Sequence, residues 1–93
     1  MQVLYFNSFL RVFKKLPGPR QTQINNVIAG LVYCLENKTV VSSGIGLKKL
    51  SLRLWEVRAG IDLRVVFSID SDALSLVFAG NHDEIRKYLK HNR

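Results

Sequence analysis

A small set of cationic side chains in the second half of the chain offers the chemistry. Lys48, Lys49, Arg58 and Arg64 are followed, at the end of an apolar run, by the imidazole of His82. Arginine stabilises the charge that builds on a pentavalent phosphorus, and an imidazole that titrates near neutrality can move a proton. Together they suit the binding and cleavage of a phosphodiester. More plainly, Arg58 and Arg64 are also what a solvated sheet surface carries when paired with Glu56 or Asp62. Other chemistries are poorly served. There is no serine–histidine–aspartate pattern, and His82 and His91 lack zinc spacing, so no metal site is expected. Asp70 and Asp72 fall in a turn, while Asp83 and Glu84 sit where a helix begins, which leaves no carboxylate pair for glycosidase-like work. Gly44 and Gly46 lack the lysine and serine or threonine spacing of a phosphate-binding loop, and no cofactor is expected.

Three short runs must position these groups. Leu52–Arg58, Leu63–Ile69 and Leu74–Ala79 are rich in β-branched and aromatic residues, and Ala59-Gly60 and Asp70-Ser71-Asp72 separate them as turns. An antiparallel meander follows. Side chains alternate faces along a strand. Trp55, Val57, Leu63, Val65, Phe67, Ile69, Leu74, Leu76 and Phe78 then share one apolar face. Glu56, Arg58, Arg64, Ser68 and Ser75 occupy the other, a candidate working surface.

The flanking segments read as strand, helix, helix and a last helix. Gln2–Phe6 is a short apolar run, and Asn7 or Ser8 offers an N-cap. Phe9, Val12, Phe13 and Leu16 keep helical spacing until Pro17-Gly18-Pro19 stops them. Ile24, Val27, Ile28, Leu31 and Leu35 form the stripe of a second helix from about Arg20 to Glu36. Thr39-Val40-Val41 can extend, and the stretch from Ser42 to Gly46 reads as a loop. Asn81 with Glu84 three residues on has the form of a capping box, and the charges from Asp83 to Arg93 follow the helix dipole. Trp55, Phe67 and Phe78 are expected against Phe13, Ile28 and Leu31.

Ninety-three residues with 47% hydrophobic content make one globular domain with a modest core. Fourteen Lys and Arg against seven Asp and Glu give a net charge of +7, which favours an anionic partner such as nucleic acid or an acidic protein. No apolar run approaches the ~20 residues that span a bilayer, and no secretory signal opens the chain. Cys34 is the only cysteine, so no internal disulfide can form. A cytoplasmic protein is expected.

Several pieces stand in a telling order: an opening strand, then a helix ending Phe13-Lys14-Lys15-Leu16-Pro17, then Leu47-Lys48-Lys49-Leu50. Leu54-Trp55-Glu56-Val57-Arg58, the run from Leu63 to Asp70, and Gly80-Asn81-His82-Asp83-Glu84-Ile85 complete it. In this the chain resembles the RelE/ParE superfamily of type II toxin–antitoxin toxins over nearly its whole length. The resemblance implies one toxin domain over 1–93 and an α+β fold. Its antiparallel β-sheet would pack on an N-terminal helical hairpin, with a short C-terminal helix and a concave basic face. In the RNA-cleaving branch that face enters the ribosomal A site and cuts mRNA, usually without a metal. In the gyrase-directed branch the same fold poisons a topoisomerase.

Position by position, Arg64 matches the family's middle-strand arginine, and His82 stands where RelE has an arginine at the end of the last strand. Leu54 and Glu56 occupy the places of its lysine pair. Tyr88 matches its functional tyrosine when no gap is allowed, while many relatives have a tyrosine where Arg86 stands. Other RNA-cleaving branches use histidine and glutamate. The expectation is a metal-independent mRNA endoribonuclease with Arg64, His82, Glu56 and Tyr88 as catalytic residues and Lys48, Lys49, Arg58 and Arg64 as RNA-binding ones. The alternative is a non-catalytic protein of the same fold, a gyrase inhibitor or an inactive toxin homologue. Implied partners are an acidic antitoxin, the ribosome with its mRNA, and operator DNA through the antitoxin complex only, with no membrane.

Overall fold

The computed structural model describes residues 1–37 and 46–92. Helix α1 (Asn7–Phe13) and helix α2 (Gly18–Glu36) form the expected hairpin. Pro17 is the N-cap of α2 and Pro19 lies in its first turn, so the segment that ends α1 also starts α2. The helix therefore begins two residues earlier than the Arg20 start that periodicity suggests. Gln21 Nε2 closes the corner by donating to the Phe13 carbonyl at 2.9 Å. Asn7 and Ser8 do not cap α1. Phe6 holds the N-cap position without a side-chain bond, and the Ser8 hydroxyl instead donates to the Val77 carbonyl.

The sheet contains β1 (Gln2–Tyr5), β2 (Lys48–Lys49), β3 (Trp55–Gly60), β4 (Leu63–Asp70) and β5 (Ala73–Gly80), in the order β1-β5-β4-β3-β2. Strands β2 to β5 are antiparallel, whereas β1 lies parallel to β5, with Val3 opposite Leu74. A parallel neighbour requires a long crossover, and the whole intervening chain supplies one. Leu52–Leu54 precede β3 instead of belonging to it, and Leu52 is 92% exposed. The first hairpin turns at Ile61-Asp62, two residues beyond the expected Ala59-Gly60, with a register shift between Arg58 and Gly60. The second turns at Ser71-Asp72, where Ser71 takes a φ of 53°. The strand expected at Thr39-Val40-Val41 lies outside the described residues.

One face of the sheet packs on the hairpin. Phe9, Ile24, Ile28, Leu31, Val57, Leu63, Val65, Phe67, Leu74, Leu76 and Ala79 are buried there. The placement of Phe78 differs from the sequence expectation. Val66 pairs with Phe78 but Phe67 pairs with Leu76, which leaves Val77 as an extra residue in β5. Such a bulge resets the alternation of side chains. Val77 and Phe78 consequently lie with Val66 on the opposite face, beneath Ile85, Tyr88 and Leu89 of α3 (His82–His91). Trp55 stays on the hairpin side but is only half-buried, and Ile69 is 42% exposed.

Helix α3 starts as its sequence predicts. Asn81 Oδ1 accepts from the Glu84 amide at 2.8 Å, and Glu84 Oε1 accepts from the Asn81 amide at 2.8 Å. Gly80 brings this first turn close to β5. A Cβ there would stand 3.0 Å from Glu84 Cβ and 3.1 Å from its Oε1. Asn81→Ala should cost about 0.5–2 kcal/mol, the usual loss for an N-cap. A urea midpoint matching wild type would show that the box adds nothing to stability.

Candidate functional site

The site lies on the α3 side of the sheet, beyond the end of the helix. Helix α3 covers Val66, Val77 and Phe78 and begins at His82, so the neighbouring positions toward β2 stay open. Strand register fills them. Lys48 stands opposite Glu56, Arg58 opposite Arg64, and Arg64 opposite Gly80. Directly opposed residues share a face. Gly46, Leu47, Lys48, Glu56, Arg58, Arg64 and His82 thus line one cleft of roughly 480 Å³.

Arg64 organises its floor. Its Nη1 lies 3.0 Å from His82 Nδ1 and 3.5 Å from Glu56 Oε1. Guanidinium groups only donate hydrogen bonds, so Nδ1 accepts and the neutral ring carries its proton on Nε2. The Glu56 side chain is 5% exposed and that of Arg64 26%. A carboxylate buried this deeply needs its cation, and the pair fixes the guanidinium in place. Arg58 is exposed directly across from Arg64. Two like charges at opposed positions repel, unless an anion lies between them. Lys48, Arg58 and Arg64 against the single carboxylate of Glu56 leave the cleft cationic. It can hold a phosphate and place a protonated imidazole nitrogen beside it.

Of the residues singled out from sequence, the structure brings Lys48, Glu56, Arg58, Arg64 and His82 together. It places Lys49 and Tyr88 elsewhere. Lys49 projects from the other face of β2, its Nζ 5.5 Å from the Trp55 ring centroid. Tyr88 stacks on Phe78 with centroids 4.4 Å apart, and its hydroxyl is 3.4 Å from Ser8 Oγ. It packs α3 against the sheet and α1, and does not line the cleft. Arg86 is exposed on the outer side of α3, beside Asp83 and Lys90. Gly46, weighed from sequence only as part of a phosphate-binding loop and set aside, and Leu47 are cleft residues that were not expected as site residues. The only available signal was a glycine just before a strand.

No protein-family model matches the chain, and no curated protein matches it significantly. Solved structures do. A copper-bound point mutant of a toxin from Helicobacter pylori shares 18% identity and a TM-score of 0.68, over 91% of this chain and 98% of that one. A chain of the RelB–RelE antitoxin–toxin complex from Methanococcus jannaschii gives 17% and 0.68, over 91% and 96%. A point mutant of YafQ from E. coli gives 11% and 0.68, over 90% and 96%. At such identities the common property is the architecture. The chain has the RelE/ParE-like toxin fold, a sheet flanked by an N-terminal helical hairpin and a C-terminal helix.

Proposed function

We propose that this protein is the toxin of a type II toxin–antitoxin system and inhibits translation by cutting mRNA on the ribosome. The single observation that carries the proposal is the opposed pair Arg58 and Arg64, with His82 Nδ1 3.0 Å from Arg64. In RNA the 2′-hydroxyl beside the scissile bond is the nucleophile. It attacks phosphorus, the bond to the 5′ oxygen breaks, and a cyclic phosphate and a 5′-hydroxyl result. One proton leaves the attacking hydroxyl and one reaches the departing oxygen. Arg58 and Arg64 hold the phosphate and take up the extra charge of the transition state. His82 acts in its imidazolium form, its bond to Arg64 released as the guanidinium takes up the phosphate, and gives one ring proton to the departing oxygen, which leaves the ring neutral. Glu56 fixes Arg64 and, as the carboxylate among the cleft residues, accepts the other proton. Lys48 extends the cationic wall along the backbone of the RNA. No step calls on a metal.

The partners in this proposal are the ribosome, its mRNA and an acidic antitoxin that covers the basic face in the cytoplasm. Operator DNA is reached only through the antitoxin complex. Among the structural neighbours, RelE is crystallised with RelB and YafQ with DinJ. Among the described residues no helix is long and apolar enough to cross a membrane.

The test is to induce the protein in bacteria and map mRNA 5′ ends and plasmid supercoiling in the same cultures. New 5′ ends within translated messages, with supercoiling unchanged, are expected. Altered supercoiling with intact messages would replace this proposal with a gyrase-directed binding protein.

A further inference from the structure

We infer that Gly46 is a positioning residue for Arg58, holding that guanidinium against the wall of the cationic cleft. The inference rests on the nucleic-acid-binding role proposed above. Gly46 has a φ of 67°, in the left-handed region that glycine enters without steric cost. It lines the same cleft as Lys48, Arg58, Arg64 and His82. The bare face of its Cα is turned to Arg58. A Cβ at Gly46 would stand 3.1 Å from Arg58 Cβ, 3.4 Å from Nε and 3.6 Å from Cζ. The arginine therefore runs along the glycine from its stem to its guanidinium.

The tightest of these contacts cannot be relieved by a rotamer. Arg58 Cβ is set by the backbone of β3, which is paired to β4 at Val57, Arg58 and Gly60, with a register shift between the last two. An added methyl must either lift the chain at Gly46 away from β3 or turn the Arg58 side chain out of its course. The first also moves Lys48, two residues on and opposite Glu56. The second moves the guanidinium off the surface it lies on. Either way Arg58 is no longer held at the cleft wall where, with Arg64, it would meet a bound phosphate. Arg58 is exposed, and among the described residues no carboxylate holds it as Glu56 holds Arg64. Its place in the cleft is set by the shape of what it lies against, and Gly46 is that surface.

The test uses a single-stranded 2′-O-methyl RNA, which binds without being cut, titrated over a range of salt concentrations. Each phosphate neutralised on a single strand contributes about 0.7 to the slope of log K against log salt. Arg58→Ala should lower that slope by one such contact. Gly46→Ala removes no charge, yet it should lower the slope by the same amount, and the double variant should lose no more than Arg58→Ala alone. Asn tolerates positive φ while carrying the same Cβ, so Gly46→Asn should behave like Gly46→Ala. Rescue by Asn, a wild-type slope in Gly46→Ala, or a further loss in the double variant would overturn the inference. The Arg58 Nε–Hε resonance supplies a reading that needs no RNA. It should shift and broaden in Gly46→Ala, and an unmoved resonance overturns the inference. A wild-type protein that binds no RNA would instead refute the nucleic-acid role, and the resonance alone would then decide the positioning.

Discussion

Arg64→Ala should slow mRNA cleavage by about 10²–10³-fold, the usual loss when one donor to a transition-state oxyanion is removed. Arg64 is the only residue in contact with both Glu56 and His82 among the described hydrogen bonds, so the substitution takes away charge stabilisation and the partner of the imidazole together. It also strands a carboxylate whose side chain is 5% exposed, and breaking such a pair from one side destabilises. Loss of activity could then be confused with loss of fold. The double variant Arg64→Ala/Glu56→Gln, compared with Glu56→Gln alone, separates the two, because a neutral amide relieves the stranded charge and the loss of the Glu56 carboxylate is common to both. Its thermal midpoint should recover toward wild type while its activity stays low. His82→Gln should lower the rate by about 10²–10⁴-fold if proton transfer contributes to it. Primer extension on ribosome-bound message measures all four. Wild-type rates in both Arg64→Ala and His82→Gln would exclude this site as the place of cleavage.

The parts of the site that sequence reasoning reached are those that local rules determine. Asn81 and Glu84 set the start of α3, which places His82 as its first residue immediately after β5. The pairing of Arg58 with Arg64 is less local, because the Ile61-Asp62 turn alone would set Arg58 opposite Val65 and a register shift between Arg58 and Gly60 brings it to Arg64. Tyr88 escaped because matching by position ignores helix geometry. It lies six residues along α3 from His82, roughly 9 Å at 1.5 Å per residue, and points at Phe78. Lys48 and Lys49 are adjacent in a strand, so only one of them can face the cleft. Which one depends on the pairing of β2 with β3, and nothing local to two lysines specifies that. The parallel placement of β1 has the same origin. Its neighbour is decided by long-range packing of Val3 and Tyr5 near α1 and β5, not by its own sequence.

The bulge in β5 was the least legible feature, and it makes a sharp prediction about stability. Leu74-Ser75-Leu76-Val77-Phe78-Ala79 is apolar at almost every position, so both faces of the strand look like core and the pattern carries no phase. No glycine or proline marks Val77 as the extra residue. Phe67 and Phe78 look equivalent in sequence, yet they belong to different clusters in the structure. Phe67 is 1% exposed among Phe9, Ile28 and Leu31 of the hairpin. Phe78 is half-buried and holds α3 through the Tyr88 stack. Phe67→Ala should therefore destabilise the whole domain by about 3–5 kcal/mol, the range for a phenylalanine truncated in a core. For a domain of this size each kcal/mol lowers the thermal midpoint by roughly 4–8 °C. Phe67→Leu, which keeps most of the volume, guards against a variant too unstable to purify. Phe78→Ala should cost less globally and act locally. It removes a ring pair worth about 0.5–1.5 kcal/mol beyond its buried area and frees the helix that carries His82. Amide exchange should accelerate across α3 while β4 stays protected. Because α3 also presents His82 to Arg64, the same variant should lose cleavage activity before it loses its fold. Equal losses of stability in Phe67→Ala and Phe78→Ala, with exchange in α3 unchanged, would place both rings on one face and remove the bulge from the account.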